Sequence, residues 1–333
     1  MVKPVFQFVG KILKQHKLKV LVLMLSPFLF FHLMFDYGSL SGYVSEKVNA
    51  VISGQPGSGG LQRQPLQISF DDLNLHFFPF VGVGLAQLDI LAPHLARKPM
   101  RCAELIVGPD WGSLLSFREG FKLAAEELFG GDVRLSWRGL KGKTPQELRK
   151  AISLNFTTLN LGNLASFFQL PVQLRGTLDG SLEGEADLSF TQQPTAEFTL
   201  HIEKFKLPKD LLLSGFLIPS LDLKEVSIKG TLKDGLLTLT EFKVGQGDDE
   251  LMGQISGDID LKFPLAPAAM LATVPMRYRV TIDLSFKKSL ESKLSLLLSF
   301  ISAYKSQQGE RTRYAFKISG QRLLDPSAKM ERL

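Results

Sequence analysis

From Leu66 onward, apolar residues recur on every second position, and this alternation limits the fold more than any other feature of the chain. Leu66, Ile68 and Phe70 alternate with polar neighbours, and Leu73, Leu75 and Phe77 repeat the pattern. It returns at Val133-Leu135-Trp137, along Leu178, Leu182, Ala186, Leu188 and Phe190, at Phe198-Leu200-Ile202 and at Val226-Ile228. Leu232-Leu236 with Leu237-Leu239, Ile255-Ile259-Leu261, Tyr278-Val280-Ile282-Leu284 and Tyr314-Phe316-Ile318 continue it. Side chains two apart leave a strand on the same face, so each run predicts a half-buried strand bounded by Gly, Asp and Pro. Asp179-Gly180, Asp234-Gly235 and Gly247-Asp248-Asp249 carry the turn chemistry of antiparallel hairpins. The fold expected is mainly β, a long and largely antiparallel sheet over residues 66–333 with a few short helices.

Helical spacing occurs only in patches. Between Ser289 and Lys305, Leu290, Leu294, Leu297, Leu298, Ile301 and Tyr304 fall on one face, with Ser292, Ser295, Ser299 and Ser302 on the other. This predicts an amphipathic helix near 289–305. Its polar face is serine, where a helix lying in a membrane surface carries Lys and Arg, so packing on the sheet is expected. Asn163–Gln169 and Pro208–Gly215 read as short helical turns, and Thr144-Pro145-Gln146-Glu147 as the capped start of another.

Ahead of the alternating region the chain changes character. Residues 20–35 are uncharged and interrupted only by Ser26, Pro27 and His32. Counted from Leu18, the stretch spans about 27 Å as a helix, close to the roughly 30 Å of a bilayer core, with Lys17 and Lys19 able to extend it. Five lysines lie in residues 1–19 without an acidic partner, while Asp36 follows the stretch directly. By the positive-inside rule, residues 18–36 are an inner-membrane anchor, residues 1–17 a basic cytoplasmic tail, and the rest lies across the membrane. The competing reading, a cleaved signal peptide, needs a small-x-small site. Leu33 to Tyr37 offers none, and Ser39-Leu40-Ser41 is the nearest. A buried helix of a soluble protein is the third reading. No other run is long enough to span, so a single pass is expected. Residues 37–65, centred on Ser53-Gly-Gln-Pro-Gly-Ser-Gly-Gly60, form a Gly/Ser-rich linker, with Tyr43–Ile52 a short juxtamembrane helix.

Charge and chemistry exclude more than they indicate. The net charge of +6 comes almost wholly from residues 1–19; without their five lysines, 34 basic residues face 33 acidic ones. A nucleic-acid surface needs basic residues clustered on the folded part, so nucleic acid is not an expected partner. The lone Cys102 excludes an internal disulfide and a Cys-rich zinc module, and His16, His32, His76, His94 and His201 have no metal-ligand spacing. Gly142-Lys143-Thr144 lacks the glycine a phosphate-binding loop needs five positions earlier, where Trp137 stands. Gly38 to Gly42 and Gly253 to Gly257 do not make a nucleophile elbow. Asp248-Asp249-Glu250 reads as a solvated turn rather than a calcium site. Asp71-Asp72 interrupts a strand pattern, so one of the two points inward or lies at a bulge, with no histidine or third carboxylate to make a catalytic pair. No catalytic, cofactor-binding or metal-ligating residue is assigned, and the chain is not expected to be an enzyme.

The order of elements resembles a known family. After the basic tail and span come Pro79-Phe-Val-Gly82, Trp111-Gly-Ser-Leu-Leu-Ser-Phe117, and Phe121 to Gly131. Leu174-Arg-Gly-Thr-Leu-Asp-Gly180 and Gly230 to Leu239 follow, then Gly245-Gln-Gly247, Gly253 to Gly257, and Tyr314 to Gly320 with Leu324 and Pro326. Over about residues 15–330 this resembles the type II secretion system protein N (GspN) family and, more widely, AsmA-like membrane-anchored β proteins. The resemblance implies an inner-membrane protein with a periplasmic β-rich domain, partnered by other secretion proteins or by phospholipid. It carries no catalytic residues. The repeated glycines suit a curved sheet, a groove or half-barrel, whose apolar face is either filled by its own side chains and helix 289–305 or open to acyl chains. Alternation alone leaves both open.

Overall fold

Strand after strand with short links favours pairing between neighbours in the chain. The computed structural model describes Ser26 and residues 67–77, 79–91, 99–140, 149–170, 172–187, 192–213, 216–261, 277–321 and 328–333. Apart from Ser26, the expected span at 18–36 lies outside them, as do the linker at 37–65 with its helix at 43–52, the Gly142-Lys143-Thr144 stretch and the helix start at 144–147.

Within the described residues the chain forms one long antiparallel open sheet. β1 (Gln67–Ser69) and β2 (Asp72–His76) cover successive parts of one edge of β3 (Gly82–Leu91). From β3 the sheet runs in chain order through β4 (Met100–Pro109), β5 (Gly120–Leu128), β6 (Gly131–Gly139), β7 (Arg149–Asn160), β8 (Arg175–Asp187) and β9 (Thr195–Leu207). A separate hairpin, β10 (Leu211–Leu213) and β11 (Phe216–Ile218), is looped out. The meander then resumes with β12 (Leu221–Lys233), β13 (Leu236–Val244), β14 (Leu251–Asp260) and β15 (Arg277–Lys287). β16 (Lys305–Gln308) and β18 (Lys329–Arg332) share the far edge of β17 (Arg311–Gly320), whose other edge pairs with β15. Both outermost positions are thus held by strands of three to five residues, too short to template further pairing.

Four short helices connect strands: α1 (Trp111–Leu115), α2 (Leu161–Phe167), α3 (Lys288–Lys293) and α4 (Ser295–Ser299), followed by a 3₁₀ turn at Ser302–Tyr304. Among the described residues no helix is long and apolar enough to cross a membrane. α2 begins where the turn at 163–169 is expected, because the Asn160 side chain accepts from the Gly162 and Asn163 amides. Two expectations need correction. The single helix at 289–305 is two helices and a 3₁₀ turn, although Leu290 and Leu298 do pack inward. Pro208–Gly215 is not a helical turn, since Leu211–Leu213 is a strand paired with β11.

The turn signals divide as well. Asp234 and Gly235 both adopt positive φ, at 52° and 78°, which fits the twist of the β12–β13 hairpin. Asp179-Gly180 is no turn. It lies inside β8, where Asp179 Oδ1 accepts from the Thr158 amide at 2.9 Å and clamps a bulge in β7. Such irregularities recur on alternate strands. Gln87, Glu127, Thr158 and Lys204 adopt left-handed φ on β3, β5, β7 and β9, and the β13–β14 register slips between Leu239 and Phe242. Each bulge bends its strand and increases the local twist.

Candidate functional site

Antiparallel register converts the alternation of single strands into rows that cross the sheet. One row starts at Leu73 on β2 and passes through Leu85, Leu105, Ala125, Val133, Phe156 and Gly180. It continues through Leu200, Ile228, Phe242, Ile255 and Ile282 to Phe316 on β17, each residue the partner of the next. A parallel row runs from Leu75 and Val83 through Val107, Leu123, Leu135, Leu154, Leu182 and Phe198. It goes on through Gly230, Leu239, Gly257, Val280 and Ile318 to Met330 on β18. Neither row contains a polar side chain. At about 4.8 Å per strand they extend on the order of 60 Å.

The opposite face reads as its inverse. Lys122, Ser136, Ser153, Glu183, Glu197, Thr231, Thr238, Asp258, Arg279 and Ser319 are successive partners there. Arg313 grips Asp283 through two bonds of 2.7 and 2.6 Å, and Lys243 and Lys229 flank Glu241 at 2.7 and 3.4 Å. From β5 to β17 this face needs no cover in water, whereas across β3 and β4 it buries Leu88, Cys102 and Ile106.

The apolar face is not uniformly covered. At the β15–β17 end, α3 and α4 lower Leu290 and Leu298 onto Phe286, Tyr314 and Phe316, all buried. Glu291 fastens this cap by accepting from Lys305 Nζ (2.6 Å), Thr312 Oγ1 (2.6 Å) and Tyr314 (3.2 Å). Across the middle of the sheet, Leu182, Phe198, Leu200, Leu239 and Ile255 are only half-buried, and near the other end Val83 and Val107 are exposed. Glycines keep this surface low. A Cβ on Gly180 would meet the Phe156 ring at 2.6 Å, and one on Gly230 the Phe198 ring at 2.7 Å. Each ring lies over its neighbour's glycine instead of standing up to fill the face. Along these two rows, beside which Lys150 over the Trp137 ring is a charged exception, neither charge nor hydrogen-bonding groups intrude, and such a surface can hold apolar chains by area alone.

The residues weighed for chemistry go elsewhere. Asp71 and Asp72 are exposed at the break between β1 and β2, where Asp72 accepts from the Leu73 amide. Asp249 corrects the expectation of a solvated turn. It is buried, and its Oδ2 accepts from the Lys224 and Gln246 amides at 2.9 and 2.8 Å, while Asp248 pairs with Lys287 and Glu250 accepts from Ser289. Cys102 is buried, and burial pushes its thiol up to about 11, so it packs as a small hydrophobic residue in its thiol form. His76 lies half-buried on edge strand β2 with Nε2 2.8 Å from Glu104, at an angle that makes no hydrogen bond. His201 sits between Glu203 and Glu225 on the polar face. His94 and Lys141–Thr144 lie outside the described residues. A recess of about 830 Å³ beside α2 gathers Asn160, Asn163, Ser166, Gln173 and Arg175, but the Asn160 oxygen is already spent on capping the helix.

Sequence reasoning passed over one group. In α1 and the residues after it, Trp111, Leu114, Leu115 and Phe117 project into solvent. The signal was an apolar run, Leu114-Leu115-Ser116-Phe117, that fits neither the strand nor the helix period. Compared with protein-family models, curated proteins and solved structures, the chain matches none.

Proposed function

We propose that the chain is a non-enzymatic, membrane-anchored protein whose sheet curves into a trough for phospholipid acyl chains. This is the AsmA-like alternative implied by the resemblance. The observation that carries it is the pair of uninterrupted apolar rows left half-covered along the middle of the sheet. Contiguous exposed apolar surface beyond a few hundred Å² is rare on soluble proteins and marks an interaction site. The rows are several times longer than the roughly 15 Å of acyl chain in one leaflet, so they offer room for more than one lipid. Bulges on alternate strands and glycines along the rows supply the bending that a trough needs. In this reading residues 18–36 anchor the chain in the inner membrane with its N-terminus in the cytoplasm, and the sheet lies in the periplasm.

The test is to purify the full chain in mild detergent and count co-purifying phospholipid by mass spectrometry. Stoichiometric lipid is expected, falling to background when Leu200→Glu and Ile255→Glu interrupt the first row on its half-exposed stretch. A parent chain free of lipid would sink the proposal.

A second reading is assembly within the type II secretion pathway, the first role implied by the GspN resemblance. The exposed apolar group around α1 favours it, since such a patch also suits a protein partner. Enrichment of secretion proteins over a control membrane protein, without bound lipid, would make this reading the better one.

A further inference from the structure

The apolar rows end beside an exposed lip. The β2–β3 turn contributes Phe77 and Val81, and the β4–β5 connection contributes Trp111, Leu114, Leu115 and Phe117. The two segments are adjacent, because the Val81 carbonyl and the Phe80 ring crowd Gly108, two residues before the Asp110 that precedes α1.

α1 is built inside out for a helix on a soluble domain. Its serine, Ser113, is 5% exposed and donates to Asp110 Oδ2 at 2.6 Å, with Gly120 packed against it. Asp110, itself buried, is also held by Lys122 at 3.4 Å. The polar groups therefore fix the base of the loop and force its apolar side chains outward. Leu115 is 82% exposed and Phe117 is fully exposed. Leaving both in water is unfavourable, and nothing in their own packing offsets it. The surroundings say what covers them. Arg118 follows Phe117 directly, and Arg138 stands opposite Gly120 on β6, where its charge helps to hold the Asp110 carboxyl ionised; both are exposed. An indole, leucines and a phenyl ring at the tip, with arginines behind, match the depth profile of a bilayer surface with anionic headgroups. α1 folds against the polar face, where Gly120 and Lys122 lie. At the same strand ends, Val83 and Val107 open the second apolar row on the other face, and Pro109 with Phe121 begins another. The exposed side chains of the lip and the start of the apolar rows thus share one end of the strands.

We infer that this lip dips into the bilayer and forms the mouth through which acyl chains pass between the membrane and the sheet. The inference rests on the acyl-chain reading above and adds where that face meets the membrane. The capped β15–β17 end, where Leu290 and Leu298 close the apolar face, is then the closed end.

The two tryptophans, Trp111 and Trp137, allow a test on the full chain. Trp137→Phe leaves Trp111 as the sole reporter at the lip, whereas Trp137 lies on the apolar face against Phe121, ring centroids 4.8 Å apart. Reconstituted in vesicles of phosphatidylethanolamine and phosphatidylglycerol with brominated acyl chains, Trp111 emission should be quenched and blue-shifted. Leu115→Ser with Phe117→Ser in the same background should abolish most of the quenching and slow loading of the sheet at least tenfold. Loading is read as brominated-lipid quenching of Trp137 in a separate Trp111→Phe chain. Trp111 emission that stays water-like while phospholipid still co-purifies would overturn the lip and leave the acyl-chain reading standing. Absence of both co-purified lipid and Trp137 quenching would overturn the reading beneath it. A photo-crosslinker at position 115 that captures a protein in native membranes, with Trp111 unquenched in vesicles, would reassign the lip to a protein partner.

Discussion

The helical connections at the two ends of the sheet use the same materials in opposite ways. In α3 and α4, Leu290 and Leu298 point down onto Phe286, Tyr314 and Phe316, while lysines and serines, together with Leu296, meet water. In α1 the serine points down and the leucines point out. The difference lies in what waits below. Phe286 and Tyr314 belong to the apolar face, so a helix folded back over it finds a hydrophobic partner. Asp110 offers α1 only a carboxylate, which Ser113 and Lys122 satisfy. One end of the apolar face is thereby closed by the chain itself, and at the other Val83 and Val107 stay exposed.

The largest effect should come from breaking the closed end. Leu290 is 0% exposed, and Leu290→Ala should cost about 2–5 kcal/mol, because the removed methyls leave a cavity between two layers that cannot collapse freely. Urea unfolding of the full chain in detergent, followed by near-UV circular dichroism, measures it. A cost below about 1 kcal/mol would mean that the cap does not close the apolar face.

The middle of the sheet should respond less, and through strain. Gly230→Ala sets a Cβ 2.7 Å from the Phe198 ring and 3.0 Å from the Thr238 carbonyl. The ring must rotate off the sheet, at about 1–3 kcal/mol. Adding Phe198→Leu should recover most of that loss, which a double-mutant cycle reads directly. Because the displaced ring stands in the apolar face, bound lipid should fall in Gly230→Ala and return in the double variant. Independent costs for the two substitutions would break the link between glycine and an open face.

These two regions were unequally legible in the sequence. Alternation at Phe198-Leu200-Ile202 and Tyr314-Phe316-Ile318 found the strands, because each has one polar face. It was uninformative over residues 82–109. There Leu88, Cys102 and Ile106 are buried on one face while Leu85 and Leu105 lie on the other, so the period blurs. Asp179-Gly180 read as a turn because local chemistry cannot distinguish a hairpin from a carboxylate clamping a bulge on the next strand. The rows themselves depend on register, set by pairings up to β17 and β18 that no single window contains. The orientation of α1 was hidden for the same reason, since Ser113 is buried only because Asp110 and Gly120 meet across the connection.

Acid should loosen both ends at once. The Ser113 hydroxyl and then Lys122 hold Asp110 below the ordinary carboxyl value of 3.8. Lys305, followed by the Thr312 and Tyr314 hydroxyls, holds Glu291 below 4.5. A depressed carboxyl contributes stability above its unfolded value and loses it as pH falls through the folded one. Both connections should therefore keep their hold at neutral pH and weaken below about pH 4. Asp110→Asn should remove the acid response of Trp111 fluorescence and leave that of the β15–β17 end unchanged. A single shared transition in that variant would mean the two ends melt as one unit.

The smallest effect is the most diagnostic. Leu115→Ser with Phe117→Ser removes two large apolar side chains, yet stability in detergent should change by no more than about 0.5 kcal/mol, since neither is packed in the folded chain. In Leu290→Ala a smaller truncation should cost several times more. The sharper contrast lies in solution behaviour, because the lip variant should be less prone to self-association once detergent is diluted, whereas the cap variant should be more so. If the lip variant instead unfolds as readily as the cap variant, then Leu115 and Phe117 hold the chain together. The two ends of the sheet would then differ in exposure but not in role.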